Sequence, residues 1–170
     1  VIRNFFEYLR SELKDIRISA DLFGLTTISR NDLGIGQIIE DAYAYFDFVS
    51  PMVYPSHYFP GFFGYKNPAL YPYEVVRQSM DSALKRLREY GLKPTTSSSA
   101  SSTATSTIEL KNESSQLKAK LRPWLQDFNL GATYNAEMVR KQIQAVYDAA
   151  SSTPELINGF MLWNPSNIYT

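Results

Sequence analysis

Phe48-Val49-Ser50-Pro51-Met52-Val53-Tyr54 is the stretch that decides the fold of this chain. It is a short, largely apolar run, bounded by Asp47 and Pro55, and it has the composition of a β-strand. Segments of the same kind lie before and after it, at residues 16–21, 121–128 and 160–163. We therefore predict four strands.

Amphipathic helical patterns alternate with these strands. A helix that opens the chain and three later helices are predicted from apolar residues at helical spacing. Asn135 is a predicted N-cap and Gly91 a predicted C′ residue. The order α-β-α-β-α-β-α-β predicts an α/β fold with a parallel sheet and helical crossovers. The predicted helical faces are Ile2, Phe5, Phe6, Leu9 and Leu13; Ile38, Ile39, Ala42, Tyr45 and Phe46; Val75, Val76, Met80, Ala83, Leu84 and Leu87; Met138, Val139, Ile143, Val146 and Ala150.

The chain starts on a helix that no strand precedes and ends just after a strand, so we expect it to be a piece of a larger protein. Residues 1–170 are predicted to form one partial domain. Residues 94–116 are rich in Ser and Thr and predict a flexible surface insertion, which carries the weak glycosylation triplet Asn112-Glu113-Ser114. The other long connection, residues 55–72, is rich in aromatic residues.

Composition excludes several classes of function. The 17 Lys and Arg residues balance 17 Asp and Glu residues, so no basic surface predicts a nucleic-acid partner. The chain has no Cys and a single His, His57, which excludes thiolate chemistry and a multi-histidine metal site. No apolar run approaches the roughly 18 residues that membrane insertion needs. Gly34-Ile35-Gly36 lacks the third glycine of a dinucleotide fingerprint, and we predict neither cofactor nor metal.

Polar and aromatic residues gather where the predicted strands end. In parallel α/β sheets, ligands bind beyond the carboxyl ends of the strands. Carboxylates can do acid/base or nucleophilic work at an acetal, amides bond sugar hydroxyls, and aromatic rings cover the C–H faces of a sugar. This combination predicts a carbohydrate partner. The predicted catalytic residues are Asp21 and Asp127, and the predicted substrate-binding residues are Tyr54, His57, Trp124, Gln126, Trp163 and Asn164.

Each of these residues also has a structural interpretation. Asp21 fits a cap or a salt-bridge partner, His57 a hydrogen-bonded loop residue, and Asn164 a turn former before Pro165. Tyr54 and Trp163 fit core aromatics. Asp127 and Gln126 alternate along one strand and so lie on opposite faces, and the sequence leaves open which face lines the site.

Four motifs, taken together, resemble a bacterial family of glycoside hydrolase domains, catalogued as a domain of unknown function among the TIM-barrel glycosidases. They begin at Ile18, Asp47, Arg122 and Gly159 and read Ile-Ser-Ala-Asp-Leu-Phe-Gly, Asp-Phe-Val-Ser-Pro-Met-Val-Tyr-Pro-Ser-His-Tyr, Arg-Pro-Trp-Leu-Gln-Asp-Phe and Gly-Phe-Met-Leu-Trp-Asn-Pro-Ser-Asn. With their helices they cover nearly all of the chain outside the Ser/Thr-rich insertion.

The resemblance implies that the chain is the carboxyl-terminal half of a (β/α)₈ TIM barrel, strands five to eight in sequential order. The missing amino-terminal half-barrel would be its partner and would supply a principal catalytic carboxylate. On the matched positions, the resemblance implies that Asp21 lies near the scissile bond and that Tyr54, Gln126, Asp127 and Trp163 line the cleft.

We therefore predict a glycoside hydrolase that acts on a polysaccharide or cell-wall glycan through carboxylate acid/base chemistry, with this chain inactive alone. The alternative is a non-catalytic carbohydrate-binding module, which needs no carboxylate pair. A third possibility is an independent doubly wound domain, whose strand order would reverse at a switch point.

Overall fold

Helices and strands alternate along the part of the chain that the computed structural model describes, residues 2–92 and 118–170. The predicted insertion at 94–116 and its glycosylation triplet lie outside the described residues. The helices are α1 (Ile2–Glu12), α2 (Ile39–Tyr45), α3 (Pro72–Gly91) and α4 (Ala136–Ala149), and the strands are β1 (Ser19–Phe23), β2 (Phe48–Val53), β3 (Lys120–Leu121), β4 (Trp124–Gln126) and β5 (Met161–Trp163).

The strands form one parallel sheet in the order in which they occur in the chain. The order is β1-β2-β4-β5, and β3 pairs with β2 beside β4. The prediction of an α/β fold with a parallel sheet in sequential order is confirmed. A doubly wound sheet would reverse its order at a switch point, and the described strands show no such reversal.

The third predicted strand, residues 121–128, is wrong as one continuous element. Lys120–Leu121 and Trp124–Gln126 both pair with β2, but Arg122 and Pro123 between them lie outside either strand. Proline has no backbone N–H to donate to the ladder, so the strand is interrupted at Pro123.

The first strand starts later than the predicted residue 16 because side chains take the backbone groups before it. Arg10 donates to the carbonyl of Ile16 at 3.1 Å, and the Asp47 carboxylate accepts from the Ile18 amide at 2.9 Å. Arg10 and Asp47 also pair with each other at 2.6 Å. Burial alone would raise the pKa of Asp47, but the hydrogen bonds from Ile18 and Arg10 lower it. These contacts fasten α1 to the amino-terminal end of the sheet.

One face of the sheet packs against the helices and forms the hydrophobic core. All four helices contribute apolar side chains to it, and burying each large one stabilises the fold by about 1.5–3 kcal/mol. The strand residues on this face are Ala20, Leu22, Val49, Val53, Leu121 and Leu125. Because side chains alternate along a strand, the intervening residues lie on the opposite face, which no described helix covers.

The two predicted helix ends have different outcomes. The Asn135 N-cap is confirmed, since its side chain accepts from the Met138 amide at 3.0 Å. The Gly91 prediction is wrong, because α3 runs through Gly91 and the next residue, Leu92, keeps a right-handed conformation.

Among the described residues, no helix combines the length and apolar character needed to cross a bilayer.

The aromatic connection between β2 and α3 is folded onto the core. It contains three short 3₁₀ turns, Pro55–His57, Phe62–Gly64 and Pro68–Leu70. Tyr58 and Phe62 are buried, and the Tyr58 hydroxyl is hydrogen-bonded to the Ser79 hydroxyl of α3 at 3.0 Å. Tyr58 and Phe62 are therefore part of the hydrophobic core. The first turn, Pro55–His57, directly follows β2 at the carboxyl edge of the sheet.

Candidate carbohydrate site on the open face of the sheet

Strand register brings the predicted residues into rows across the open face. Asp21 of β1 lies opposite Ser50 of β2. Met52 lies opposite Trp124. In the next row, Gln126 lies opposite Trp163. Because the strands are parallel, residues late in each strand share the carboxyl edge of the sheet.

Asp21 is linked to Trp124 across the intervening strand. The carboxylate is exposed, and the indole Nε1 of Trp124 donates to Oδ1 of Asp21 at 3.0 Å. Adjacent strands are about 4.8 Å apart, so this bond spans the width of β2. The ion pairs of the described residues do not include Asp21. The salt-bridge interpretation of Asp21 therefore has no support in this part of the chain.

Tyr54 and His57 lie just beyond the end of β2. The Tyr54 ring packs edge-on against His57, with centroids 5.1 Å apart, and against Phe128, at 5.6 Å. Burial, and secondarily the negative charge of Asp21, raise the pKa of Tyr54, so its hydroxyl stays protonated. Neighbouring groups desolvate part of the His57 ring, and this lowers its pKa, which favours a neutral imidazole near pH 7. Both groups are therefore uncharged, but Tyr54 is buried, at 5% exposure, as a core aromatic would be, whereas His57 is exposed.

The two tryptophans of the chain meet on this face. Trp124 and Trp163 pack edge to face, with ring centroids 6.2 Å apart and an interplanar angle of 88°. Trp163 is 44% exposed. It therefore offers an aromatic surface to solvent beside the Trp124–Asp21 hydrogen bond, and it is not a core aromatic.

Gln126 lies on the same face but is fully buried. Its Oε1 accepts from the Ser56 amide at 3.1 Å, and its Nε2 donates to the Phe128 carbonyl at 2.9 Å. Gln142 of α4 bonds the Gln126 backbone at both its amide and its carbonyl. Gln126 thus holds the loop after β2 against the end of β4.

Asp127 and Asn164 belong to a separate network beyond the strand ends. Asp127 is 1% exposed, and its carboxylate accepts from the Thr170 amide at 3.0 Å and from the Thr170 hydroxyl at 2.8 Å. The Asn164 side chain donates to the Asp127 carbonyl and accepts from the Ser166 amide, so it also forms the turn. Asp127 follows the last residue of β4, and its carboxylate hydrogen bonds are to Thr170 and not to the Asp21–Trp124 pair.

Residues 1–169 match the model of a family described as "Putative glycosyl hydrolase domain". The chain belongs to this family. No curated protein and no solved structure matches the chain.

Two polar residues of this glycosyl hydrolase domain face the site without having been predicted. Ser50, opposite Asp21, is fully buried, and its hydroxyl has no hydrogen-bond partner among the described residues. Arg122 places its guanidinium 4.6 Å from the centroid of the Phe48 ring, and its Nε is likewise unpartnered there. Counting back in steps of two from Tyr54 identifies Ser50 and Met52, whereas the break at Pro123 hides Arg122.

Two cavities flank the sheet of the glycosyl hydrolase domain at opposite ends. One, of about 400 Å³, adjoins Tyr54 and His57 at the carboxyl ends of β1 and β2. The other, of about 510 Å³, lies at the amino-terminal end, where Arg10 and Asp47 pair. None of the predicted site residues lines the second one. Among the described residues, no cluster of three or more His, Cys, Asp or Glu side chains could hold a metal ion.

Proposed function

We propose that this chain carries part of the active site of a glycoside hydrolase that acts on a polysaccharide or cell-wall glycan. Family membership supports the class of reaction. The hydrogen bond from Trp124 to the exposed Asp21 is the observation that carries the proposal, since it joins a carboxylate to an aromatic platform at the carboxyl edge of a parallel sheet.

Asp21 acts in this proposal as the general acid/base or the nucleophile. Trp124 holds Oδ1, and no described residue hydrogen-bonds Oδ2, so Oδ2 is the oxygen that faces the substrate. Glycoside hydrolysis by this route uses two carboxylates, about 5–5.5 Å apart for retention and about 6.5–9.5 Å apart for inversion. Asp21 is the only carboxylate on the open face among the described strand residues.

The second carboxylate comes from outside this face. The order of the strands and the helices on one side support assignment of the chain to half of a (β/α)₈ barrel, which needs about 250 residues to close. The amino-terminal half-barrel would pair with the open edges of β1 and β5 and contribute that carboxylate. Asp127 remains a predicted candidate, but it would have to release Thr170 to react.

The remaining residues bind and orient the sugar. The exposed face of Trp163 stacks on the C–H face of a sugar ring. The Tyr54 hydroxyl and the His57 ring exchange hydrogen bonds with its hydroxyl groups, while Gln126 keeps their loop in place. Asn164 supports the turn that follows Trp163.

The test compares Asp21→Asn with Asp15→Asn in the complete protein that contains this chain. Asp15 is an exposed aspartate before β1, at the opposite end of the sheet, and serves as the matched control. Release of reducing ends from a panel of polysaccharides measures turnover, and calorimetry measures binding. We expect Asp21→Asn to lower turnover by orders of magnitude while binding and folding persist, and Asp15→Asn to match the wild type.

Other outcomes contradict the proposal in different ways. Binding without turnover in the wild type identifies a carbohydrate-binding module. Full turnover by Asp21→Asn removes Asp21 from the mechanism.

A further inference from the structure

The cavity of about 400 Å³ beside the site has walls unsuited to a bare sugar. Sugars carry hydroxyl groups around the ring, and burying these against hydrocarbon without hydrogen bonds is unfavourable. The Tyr58 hydroxyl is taken by Ser79, which leaves the Tyr54 hydroxyl and the His57 ring as the polar side-chain groups of the lining. The remaining walls are Phe23, Leu25, Leu33, Ile35 and Met52, with Gly24 between the first two.

Much of this apolar surface is open to water. Phe23 is 53% exposed and Ile35 is 45% exposed. Exposed apolar side chains that line one concave surface gain free energy when an apolar ligand covers them. Ligand pockets commonly have volumes of about 300–1,000 Å³, so this cavity suits a small group rather than a long chain.

The cavity is held in shape by contacts from outside it. Arg86 of α3 donates to the carbonyls of Thr26 and Ser29, both at 2.7 Å, and so fixes the start of the loop that carries Leu33 and Ile35. Gln37 at the end of that loop accepts from the Phe23 amide at 2.8 Å. Leu33 lines the cavity with a left-handed backbone, φ 56°, and its amide donates to the Asn31 side chain at 3.0 Å. The walls are therefore pre-formed.

The cavity is continuous with the proposed sugar site. Tyr54 contributes to both, and Phe23 follows Asp21 by two residues on the same face of β1, a separation of about 7 Å. Phe23, Tyr54, His57 and Tyr58 are planar rings, and rings in such a lining favour edge-to-face or offset contacts with another aromatic ring.

We propose that this cavity binds an aromatic ring attached to the sugar, either as the aglycone or as an aryl ester. The inference rests on the proposed function and narrows its substrate class to aryl-substituted glycosides. A sugar seated over Asp21 and Trp163 would extend its aryl substituent past Tyr54 into the cavity.

The test measures the dissociation constants of methyl and phenyl glycosides of the same sugars, and of benzoylated methyl glycosides, by calorimetry on the complete protein that contains this chain. Glucose, xylose, mannose, galactose and N-acetylglucosamine form the panel. We expect an aryl-bearing ligand to bind at least tenfold more tightly than its methyl counterpart. A phenyl glycoside as the tighter ligand identifies an aglycone, and a benzoylated ligand identifies an ester.

Ile35→Asn places an amide in the cavity wall and should reduce that preference to about one. Ile16→Asn is the matched control, since Ile16 is 58% exposed at the other end of the sheet and should leave the preference unchanged. Phenol and cyclohexanol serve as sugar-free probes, followed by chemical-shift changes in NMR spectra, and phenol should bind in an Ile35-dependent manner.

The outcomes separate this inference from the proposed function. Equal binding of methyl and aryl ligands, or a preference that Ile35→Asn leaves intact, overturns the inference while hydrolysis through Asp21 stands. If phenol binds through Ile35 but no glycoside binds or is hydrolysed, the proposed function fails and only the aromatic specificity of the cavity stands.

Discussion

Arg86 of α3 donates to both carboxylate oxygens of Glu40 of α2, although its own side chain is only 3% exposed. The same guanidinium bonds the carbonyls of Thr26 and Ser29 in the loop that walls the apolar cavity. A single buried cation therefore joins two helices to the loop that follows β1. The stability of the core and the shape of the apolar cavity therefore depend on the same side chain.

Glu40→Gln should destabilise the domain. The substitution leaves the Arg86 charge buried without its counter-ion, and removing one partner of a buried pair costs about 3–5 kcal/mol. We expect a loss near the lower limit, about 3 kcal/mol, because the Glu40 side chain is 23% exposed. The free energy of unfolding in urea measures it. Glu137→Gln, which breaks the largely exposed pair with Lys141 on α4, is the control and should change stability little. Equal losses in both variants would refute the role assigned to Arg86.

Acid should weaken the fold through the same pair. Burial alone would raise the pKa of Glu40, but the hydrogen bonds and charge of Arg86 lower it overall. A carboxylate with a lowered folded-state pKa stabilises the protein above its unfolded-state pKa of about 4.3, and that stability is lost as the pH falls through the folded-state value. The urea concentration at the unfolding midpoint should therefore decrease as the pH is lowered below about 4.3, and it should decrease less steeply in Glu40→Gln. The same slope in both proteins would show that other carboxylates dominate acid unfolding.

Gly24→Ala should destabilise the junction between β1 and β2. A Cβ atom at Gly24 would lie 2.4 Å from the Met52 carbonyl oxygen and 2.7 Å from the Tyr58 hydroxyl. The first of these is a backbone atom of the central strand, so relief requires the strands to separate, and we expect a loss of about 1–3 kcal/mol.

Gly159→Ala tests the alternative explanation, backbone strain. Gly159 has φ +70° and open space around its Cβ position, so alanine there carries only the left-handed penalty of about 1–2 kcal/mol. In addition, Gly24→Ala should weaken phenol binding in the cavity that Gly24 lines, and Gly159→Ala should not. Unchanged phenol binding in a destabilised Gly24→Ala protein would separate the junction from the cavity.

Trp124→Phe should lower the turnover number while the domain remains folded. Phenylalanine keeps an aromatic ring but has no N–H to donate to Asp21, so the carboxylate loses its orientation. A hydrogen bond to a charged group contributes about 1.5–3 kcal/mol, and Asp21 is exposed, so we expect about a tenfold loss in kcat. Trp163→Phe is the matched control, because Trp163 packs on Trp124 and does not bond Asp21. Its expected effect is on KM. Identical kinetics in the two variants would remove the orienting role of Trp124.

The sequence was sufficient for the alternation of helices and strands and for a parallel sheet, whereas the sequential strand order was implied only by the family resemblance. The apolar run around Val49 and the helical face around Val76 predict buried residues, because the spacing of apolar residues is a local property of the sequence. Strand ends were less predictable. The strand predicted from residue 16 starts at Ser19 because Arg10 and Asp47, distant in sequence, occupy the backbone groups before it.

The site shows the same division. Asp21, Trp124 and Trp163 could be named from their positions at strand ends, but the hydrogen bond between the first two depends on β2 lying between their strands. Gln126 and Asp127 could not be assigned to a face from periodicity alone. Their partners, Ser56 and Thr170, are remote in sequence, and only the folded chain brings them into contact.

The sequence by itself determined the class of the fold and the polar and aromatic residue types at the strand ends, because hydrophobic periodicity and side-chain chemistry are local properties. The order of the strands was implied only by the resemblance to a family, and the structure decided it. Only the tertiary structure decided that Asp21 is exposed beside Trp124, that Asp127 is bound to Thr170 and that an apolar cavity adjoins Tyr54. These features depend on strand register and on hydrogen bonds between distant segments, which the packing of the whole domain sets.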